Sequence, residues 1–175
     1  LGRPKSATFR TCDVVGLDTL VHVANGLDEN CKDDEAHHLF TMPSYIAKMV
    51  ENNWLGSKSG QGFYKKEKDA NGKSTILSLN LKTLKYEPKQ KVKYATLEQT
   101  KSIDDLKERY KVLLGGKDKA GEFYRKAFYG LFQYVSNRVP EISDDIYKID
   151  DALKAGFAWE LGPFETWDIV GLDKG

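Results

Sequence analysis

Phe9–Asp18 reads FRTCDVVGLD, and Phe164–Asp173 reads FETWDIVGLD. The two stretches agree at seven of ten positions, and one mismatch is the conservative pair Val14/Ile169. A match of that length near both ends of a 175-residue chain points to two copies of one structural unit, each larger than a solenoid repeat. Each copy decodes as two tightly joined helices. Pro163 suits a first helical turn, where its missing N–H costs nothing, and the helix then runs from Phe164 to Val170. Gly171 can end it in the left-handed conformation, and Asp173 is placed to cap the next helix. In the first copy, Phe9 to Val15, Gly16 and Asp18 play the same parts. The helix that follows, Thr19 to Ala24, is expected to stop at Asn25-Gly26.

Composition narrows the class. Apolar residues make up 40% and charged residues 30%, which suits a globular protein with its own core. Lys plus Arg number 27 against 26 Asp plus Glu, so no net field favours nucleic acid or an anionic membrane. No apolar run approaches a bilayer span, and no signal peptide is visible. Cys12 and Cys31 are the only cysteines, too few for a disulfide framework, so a reducing cytoplasm is the expected compartment. The chain opens LGRPKSATF without an initiator Met and closes at VGLDKG. A piece excised from a longer polypeptide is therefore expected.

Outward from the repeated phrase, an acidic stretch, DENCKDDEAHH, reads as a loop leading to a short helical turn. Pro43 starts a helix, Ser44 to Asn53, with Tyr45, Ile46, Met49 and Val50 on its apolar face. Asn71-Gly72 is a hairpin signal. Beyond it Thr75, Leu77, Leu79 and Leu81 alternate as in a strand, and Leu84 and Tyr86 suggest a second one before Pro88. The rest reads as helix. Ser102 is expected to cap Ile103–Leu114, Asp118 to cap Lys119–Arg138, and Ser143 to cap Asp144–Ala155. Apolar residues spread around most of the second of these, which predicts a central helix.

Candidate chemistry is sparse. Cys12, His22, Cys31, His37 and His38 fall close together, but their spacing fits no metal pattern, so no metal site is expected. Gly56, Gly60 and Gly62 with Lys58 could cradle a phosphate through backbone N–H groups. The P-loop pattern is absent, and a turn into the ribbon is the expected use. No GxGxxG follows a strand. The pairs Asp33/Asp34, Asp104/Asp105, Asp144/Asp145 and Asp150/Asp151 read as solvated caps. Residue chemistry alone describes a helical scaffold with no visible active site.

GPFETWDIVGLD (162–173), preceded by IDDALKAGFAWEL (149–161), resembles the C-terminal helical domain of 3-hydroxyacyl-CoA dehydrogenases, in which D-x-A-x-x-x-G-x-x-x-x-x-G-P-F-E leads into D-x-x-G-L-D. Ala152, Gly156, Gly162, Pro163, Phe164, Glu165, Asp168, Gly171, Leu172 and Asp173 stand where expected, while Asp151 departs slightly in spacing. MVENNWLGSKSGQGFYKK (49–66) resembles the segment that closes the same domain. The likeness covers about Gly2–Lys66 and Glu122–Gly175. In the first copy Ala7-Thr8 replaces Gly-Pro and Arg10 replaces the glutamate. GRPKSATFRT there looks like the long bacterial form, with tandem helical domains and often a fused enoyl-CoA hydratase domain.

The resemblance implies a mainly α fold of the 6-phosphogluconate dehydrogenase C-terminal type with a small β-ribbon linker. Residues 1–68 would be the back half of a first domain, 69–101 the ribbon linker, and 102–175 the front half of a second copy. It implies NAD-dependent oxidation of 3-hydroxyacyl-CoA in fatty-acid β-oxidation. A histidine–glutamate pair on an upstream dinucleotide-binding domain would perform the chemistry, so no catalytic or NAD-binding residue is expected here. Asn137, in YVSNR, stands where the family carries an assisting asparagine, and it is read as vestigial or helix-packing. Phe9 and Phe164 are expected nearest the acyl-CoA substrate side. The two copies should pair as single-domain relatives do in their homodimer. The rival reading is a non-catalytic helical assembly or interaction module.

Overall fold

The computed structural model describes residues 1–68 and 72–171. The chain divides into two compact units, Ser6–Lys91 and a second made of Leu1–Lys5 with Val92–Gly175. The mainly α architecture with one small antiparallel sheet is as expected.

In the Ser6–Lys91 unit, α1 (Ala7–Val15) and α2 (Leu17–Asn30) meet at Gly16, which has φ 106° and ψ 133°. Only glycine adopts that conformation cheaply. The Gly16 N–H still donates to the Cys12 carbonyl, and the Leu17 N–H turns away to the Leu55 carbonyl. A 3-10 turn, His37–Leu39, precedes α3 (Ser44–Glu51), and a second such turn, Ser57–Ser59, follows it. The strands β1 (Tyr64–Lys68), β2 (Ser74–Asn80) and β3 (Lys85–Pro88) form an antiparallel meander in that order, with Tyr64 opposite Ser78 and Leu79 opposite Tyr86. Leu17, Ile46, Met49, Phe63 and Leu79 make the core. The ribbon therefore contributes Leu79 to the same core as the helices, and does not stand apart as a connector.

Two local expectations fail in this unit. α2 passes straight through Asn25-Gly26, which marked its end in the sequence, and runs on to Asn30. Burial of Leu17 and Ala24 along one face outweighs the roughly 1 kcal/mol that a mid-helix glycine costs, and the Asn30 side chain bonds back to the Gly26 carbonyl. Asp18 is no cap either. It lies in the first turn of α2, where its carboxylate takes a hydrogen bond from Lys58 Nζ at 2.5 Å. The Asn71 half of the hairpin signal and the Asp173 cap lie outside the described residues.

The other unit comprises α4 (Ala95–Gln99), the 3-10 turn Thr100–Ser102, α5 (Leu106–Gly115), α6 (Lys119–Asn137), α7 (Ile146–Phe157) and α8 (Pro163–Val170). Tyr110, Leu114, Phe128 and Phe132 form its core, and the Phe132 ring stacks on Trp167 with centroids 5.2 Å apart. The chain start is built into this unit. The Tyr110 hydroxyl donates to the Leu1 carbonyl, and the Arg3 guanidinium lies 3.7 Å over the Trp159 ring. Asp118 caps α6 as expected, accepting from the Gly121 N–H, and it also accepts from the Thr96 N–H.

Three local expectations fail in this unit. Ser102 belongs to the 3-10 turn, and Asp105 caps α5 by accepting from the Glu108 N–H. α7 begins at Ile146 instead of Asp144, so Ser143 is not its cap; the Ser143 hydroxyl accepts the Asp145 N–H in the turn before it. α6 is not apolar-packed on every side. Phe128, Phe132 and Val135 are buried, whereas Phe123 is 65% exposed.

Truncating the stacked core ring should be costly: Phe132→Ala is expected to destabilise its unit by about 3–5 kcal/mol, read as a shifted urea midpoint. Acid should act through the caps. Thr96 and Gly121 N–H groups hold the Asp118 carboxyl below its usual value, so the folded state binds fewer protons there. The resulting stability is present above roughly pH 4 and is lost as the pH falls through the folded value. Melting points recorded from pH 7 to pH 2.5 should fall at the acid end, and less steeply for Asp118→Asn.

Candidate functional site

The carboxylate that the repeated phrase carries in its middle is the most constrained polar group of the first copy. Asp13, on α1, is 1% exposed. Its Oδ1 accepts from the Phe63 N–H at 2.7 Å and its Oδ2 from the Tyr64 N–H at 2.9 Å. Two successive backbone donors therefore close on one carboxylate, latching the start of β1 onto α1. The glycines of GSKSGQGF make this approach possible. A Cβ on Gly62 would overlap the Asp13 carboxylate, and one on Gly56, at φ 104°, would overlap the Asp13 backbone. The loop thus cradles an aspartate belonging to the chain itself, and Lys58 is committed to Asp18.

The surroundings seal this latch. The Phe9 ring packs on Phe63 with centroids 4.7 Å apart. The Tyr86 hydroxyl donates to the Gly62 carbonyl at 2.7 Å, and burial, then the Asp13 charge, pushes its pKa up to about 12. The Cys12 thiol is raised for the same two reasons, burial first.

A second latch of the same kind sits in the other unit. Asp150, on α7, is 4% exposed and accepts from the Phe164 N–H at 2.8 Å and the Glu165 N–H at 3.0 Å. Those are two of the orphan donors at the start of α8, so Asp150 caps that helix from a distance. Gly162 again makes room, since a Cβ there would overlap the Asp150 carboxylate. Glu165 closes the turn by accepting from the Gly162 N–H at 2.7 Å, and Lys154 Nζ bonds it at 2.8 Å. Lys154 and the Gly162 N–H hold the Glu165 carboxyl below its usual value, whereas burial pushes Asp150 above its own. Asp150 is therefore no solvated cap, contrary to the reading of its pair. It is also Asp150, two residues before Ala152, that fills the D-x-A spacing from which Asp151 departs.

The remaining sequence candidates fall as follows. Phe9 is 44% exposed on α1 of one unit. Phe164 is half-buried on α8 of the other, its ring stacked on Trp167. Asn137 is the exposed last residue of α6. Of the cysteine–histidine cluster, His37 bonds the Cys31 carbonyl through Nδ1 and pairs with Asp28 through Nε2. No group of three metal-ligating side chains lies among the described residues. The repeat geometry itself is reproduced: Gly171 has φ 94° and ψ 132°, and its N–H donates to the Trp167 carbonyl as Gly16 does to Cys12. Asp168, which matches Asp13 in the phrase, is exposed on α8. Sequence reasoning assigns Asp13 no role and takes Asp150 for a solvated cap, so it misses both latches. The signal that points to them is an aspartate on the apolar face of its helix together with a glycine further along the chain, Gly62 for Asp13 and Gly162 for Asp150.

Residues 1–66 match the family described as 3-hydroxyacyl-CoA dehydrogenase, C-terminal domain. The match is confined to that stretch, and the remaining residues carry no family match of their own. The chain is 47% identical over 174 residues, 99% of its length, to a "Probable 3-hydroxyacyl-CoA dehydrogenase" of Bacillus subtilis. A relative of the same printed name from Deinococcus radiodurans is 51% identical over 69 residues, covering 39% of this chain and 19% of its own. A "Fatty acid oxidation complex subunit alpha" of Psychrobacter is 48% identical over 64 residues, 35% of this chain and 8% of its own. The chain spans 21% of the Bacillus subtilis relative. No solved structure matches it significantly. The first latch, from Asp13 to Tyr64, lies wholly within the stretch that matches the dehydrogenase C-terminal domain.

Removing a latch should strand two backbone donors that are buried or half-buried. A hydrogen bond to a charged group contributes about 1.5–3 kcal/mol, and an exposed ion pair at most about 1 kcal/mol. Asp13→Ala is thus expected to destabilise its unit by about 2–5 kcal/mol, and Lys58→Ala by under about 1 kcal/mol, both measured by urea unfolding. Gly62→Ala should resemble Asp13→Ala.

Proposed function

We propose that the longer protein to which this chain belongs oxidises 3-hydroxyacyl-CoA to 3-oxoacyl-CoA with NAD in fatty-acid β-oxidation. The observation that carries this reading is 47% identity across 99% of the chain to a relative whose printed name is that activity. Within that protein, residues 1–68 are the back half of one helical domain and 102–175 the front half of a second. Phe9 and Phe164 supply part of the wall on the acyl-CoA side. A fused enoyl-CoA hydratase domain fits the same setting.

The described residues do not form the dinucleotide-binding fold expected for NAD. The sheet among the described residues is a three-stranded antiparallel meander, whereas a dinucleotide site of the expected type needs a parallel βαβ unit with a glycine-rich turn. The contribution of this chain is therefore rigidity: two helical units, each locked by an aspartate latch, that hold side chains in place beside a catalytic domain located elsewhere in the polypeptide.

An NADH-linked assay with acetoacetyl-CoA tests the reading. Turnover is expected from the longer protein and none from the 175-residue chain. Turnover by the chain alone would overturn the division of labour, and an inactive longer protein would favour a purely structural module.

A further inference from the structure

The Ser6–Lys91 unit carries a cleft of ≈ 610 Å³ between α1, the Ser57–Ser59 turn and the outer face of the ribbon. Arg10 enters it from α1, Lys66 from β1 and Lys89 from just beyond β3, while Lys65 borders it with its Nζ turned to the other face of the strand. No carboxylate lines it. The larger cleft of the other unit differs: its lining mixes Asp105, Glu108, Glu165 and Asp168 with Lys107 and Lys111. A solvated charged surface normally interleaves both signs, so convergence of three cations, Arg10, Lys66 and Lys89, from three elements onto one concavity is unusual.

The cations differ in availability. Lys65 is held by Glu67 at 2.6 Å. Arg10 donates to the Ser57 hydroxyl at 3.0 Å, which aims the guanidinium along the rim. Lys66 and Lys89 have no ion pair among the described residues. Register places Lys66 opposite Ile76, Tyr64 opposite Ser78 and Ser78 opposite Glu87, so all five share one face of the sheet; Glu87 accepts from the Asn80 side chain at 3.1 Å and does not line the cleft. Ile76 is 63% exposed there, an apolar floor beside hydroxyl and cationic walls. Cations with hydroxyls suit phosphate oxygens, and an exposed apolar floor suits a flat ring.

We propose that this cleft binds a nucleotide bearing a diphosphate, with Arg10, Lys66 and Lys89 on the phosphates and Ile76 under the base. Two sources share that chemistry: a free nucleoside diphosphate, and the phosphorylated adenosine end of CoA. The nucleotide class rests on the cleft alone, and only the CoA source rests on the dehydrogenase reading.

Calorimetric titration of the 175-residue chain with ADP, CoA and inorganic pyrophosphate tests this. Saturable one-to-one binding of ADP and CoA is expected, weakening as salt rises. The double variant Lys66→Glu/Lys89→Glu should weaken it roughly tenfold or more, because each reversal removes an attraction and adds a repulsion. Both side chains are exposed, so its melting point should hold. If it does not, the neutral pair Lys66→Gln/Lys89→Gln gives the same reading. CoA binding tighter than ADP assigns the source to the substrate tail; equal binding assigns it to a free nucleotide. No saturation by either, or binding indifferent to the variants, overturns the site. Pyrophosphate binding as tightly as ADP overturns the nucleotide assignment. The acetoacetyl-CoA assay is independent of every one of these outcomes.

Discussion

A carboxylate buried to a few per cent exposure is tolerable only if its oxygens are met by donors, and here each of two is met by two consecutive backbone N–H groups. Asp13 takes those of Phe63 and Tyr64; Asp150 takes those of Phe164 and Glu165. The arrangement works in both directions. The donors offset the cost of burying the charge, and the charge satisfies amides that would otherwise be stranded at the start of β1 and of α8. A side chain on Gly62 or Gly162 would prevent the approach. Much of the rest follows from these contacts, since they determine where the loop after α3 lands and at what point α8 begins.

The latches also explain why a piece of sequence with no visible chemistry can be so demanding of its glycines and aspartates. For the supporting role proposed above, what counts is that half-exposed rings such as Phe9 stay in place. Phe9 packs against Phe63, the residue whose amide Asp13 grips. Position at the surface is thereby tied to a buried hydrogen-bonded group instead of to a mobile loop, and that is the link between this fold and the role proposed for it.

Some of this was legible from residue order. The duplicated phrase, the glycine breaks at 16 and 171, Pro163 in a first turn, Asp118 as a cap and the ribbon pattern around Leu79 all follow from local backbone preferences, and all recur in the structure. Local signals also misled. Asn25-Gly26 looks like a helix end, but α2 continues because its buried face is longer than the signal. Ser102 and Ser143 look like caps, but the neighbouring Asp105 and Asp145 occupy the positions where the helices begin.

What the sequence by itself determined is periodicity and punctuation: which segments are helical, where glycine must break them, that one phrase occurs twice, and which family the phrase resembles. These depend on interactions within a few residues. Only tertiary structure decided which aspartates are buried. Asp13 and Asp168 hold the same place in the same phrase, yet one is sealed beneath a glycine loop 50 residues further along and the other is exposed. Local sequence cannot distinguish them, because burial of a charge depends on which distant amides reach it.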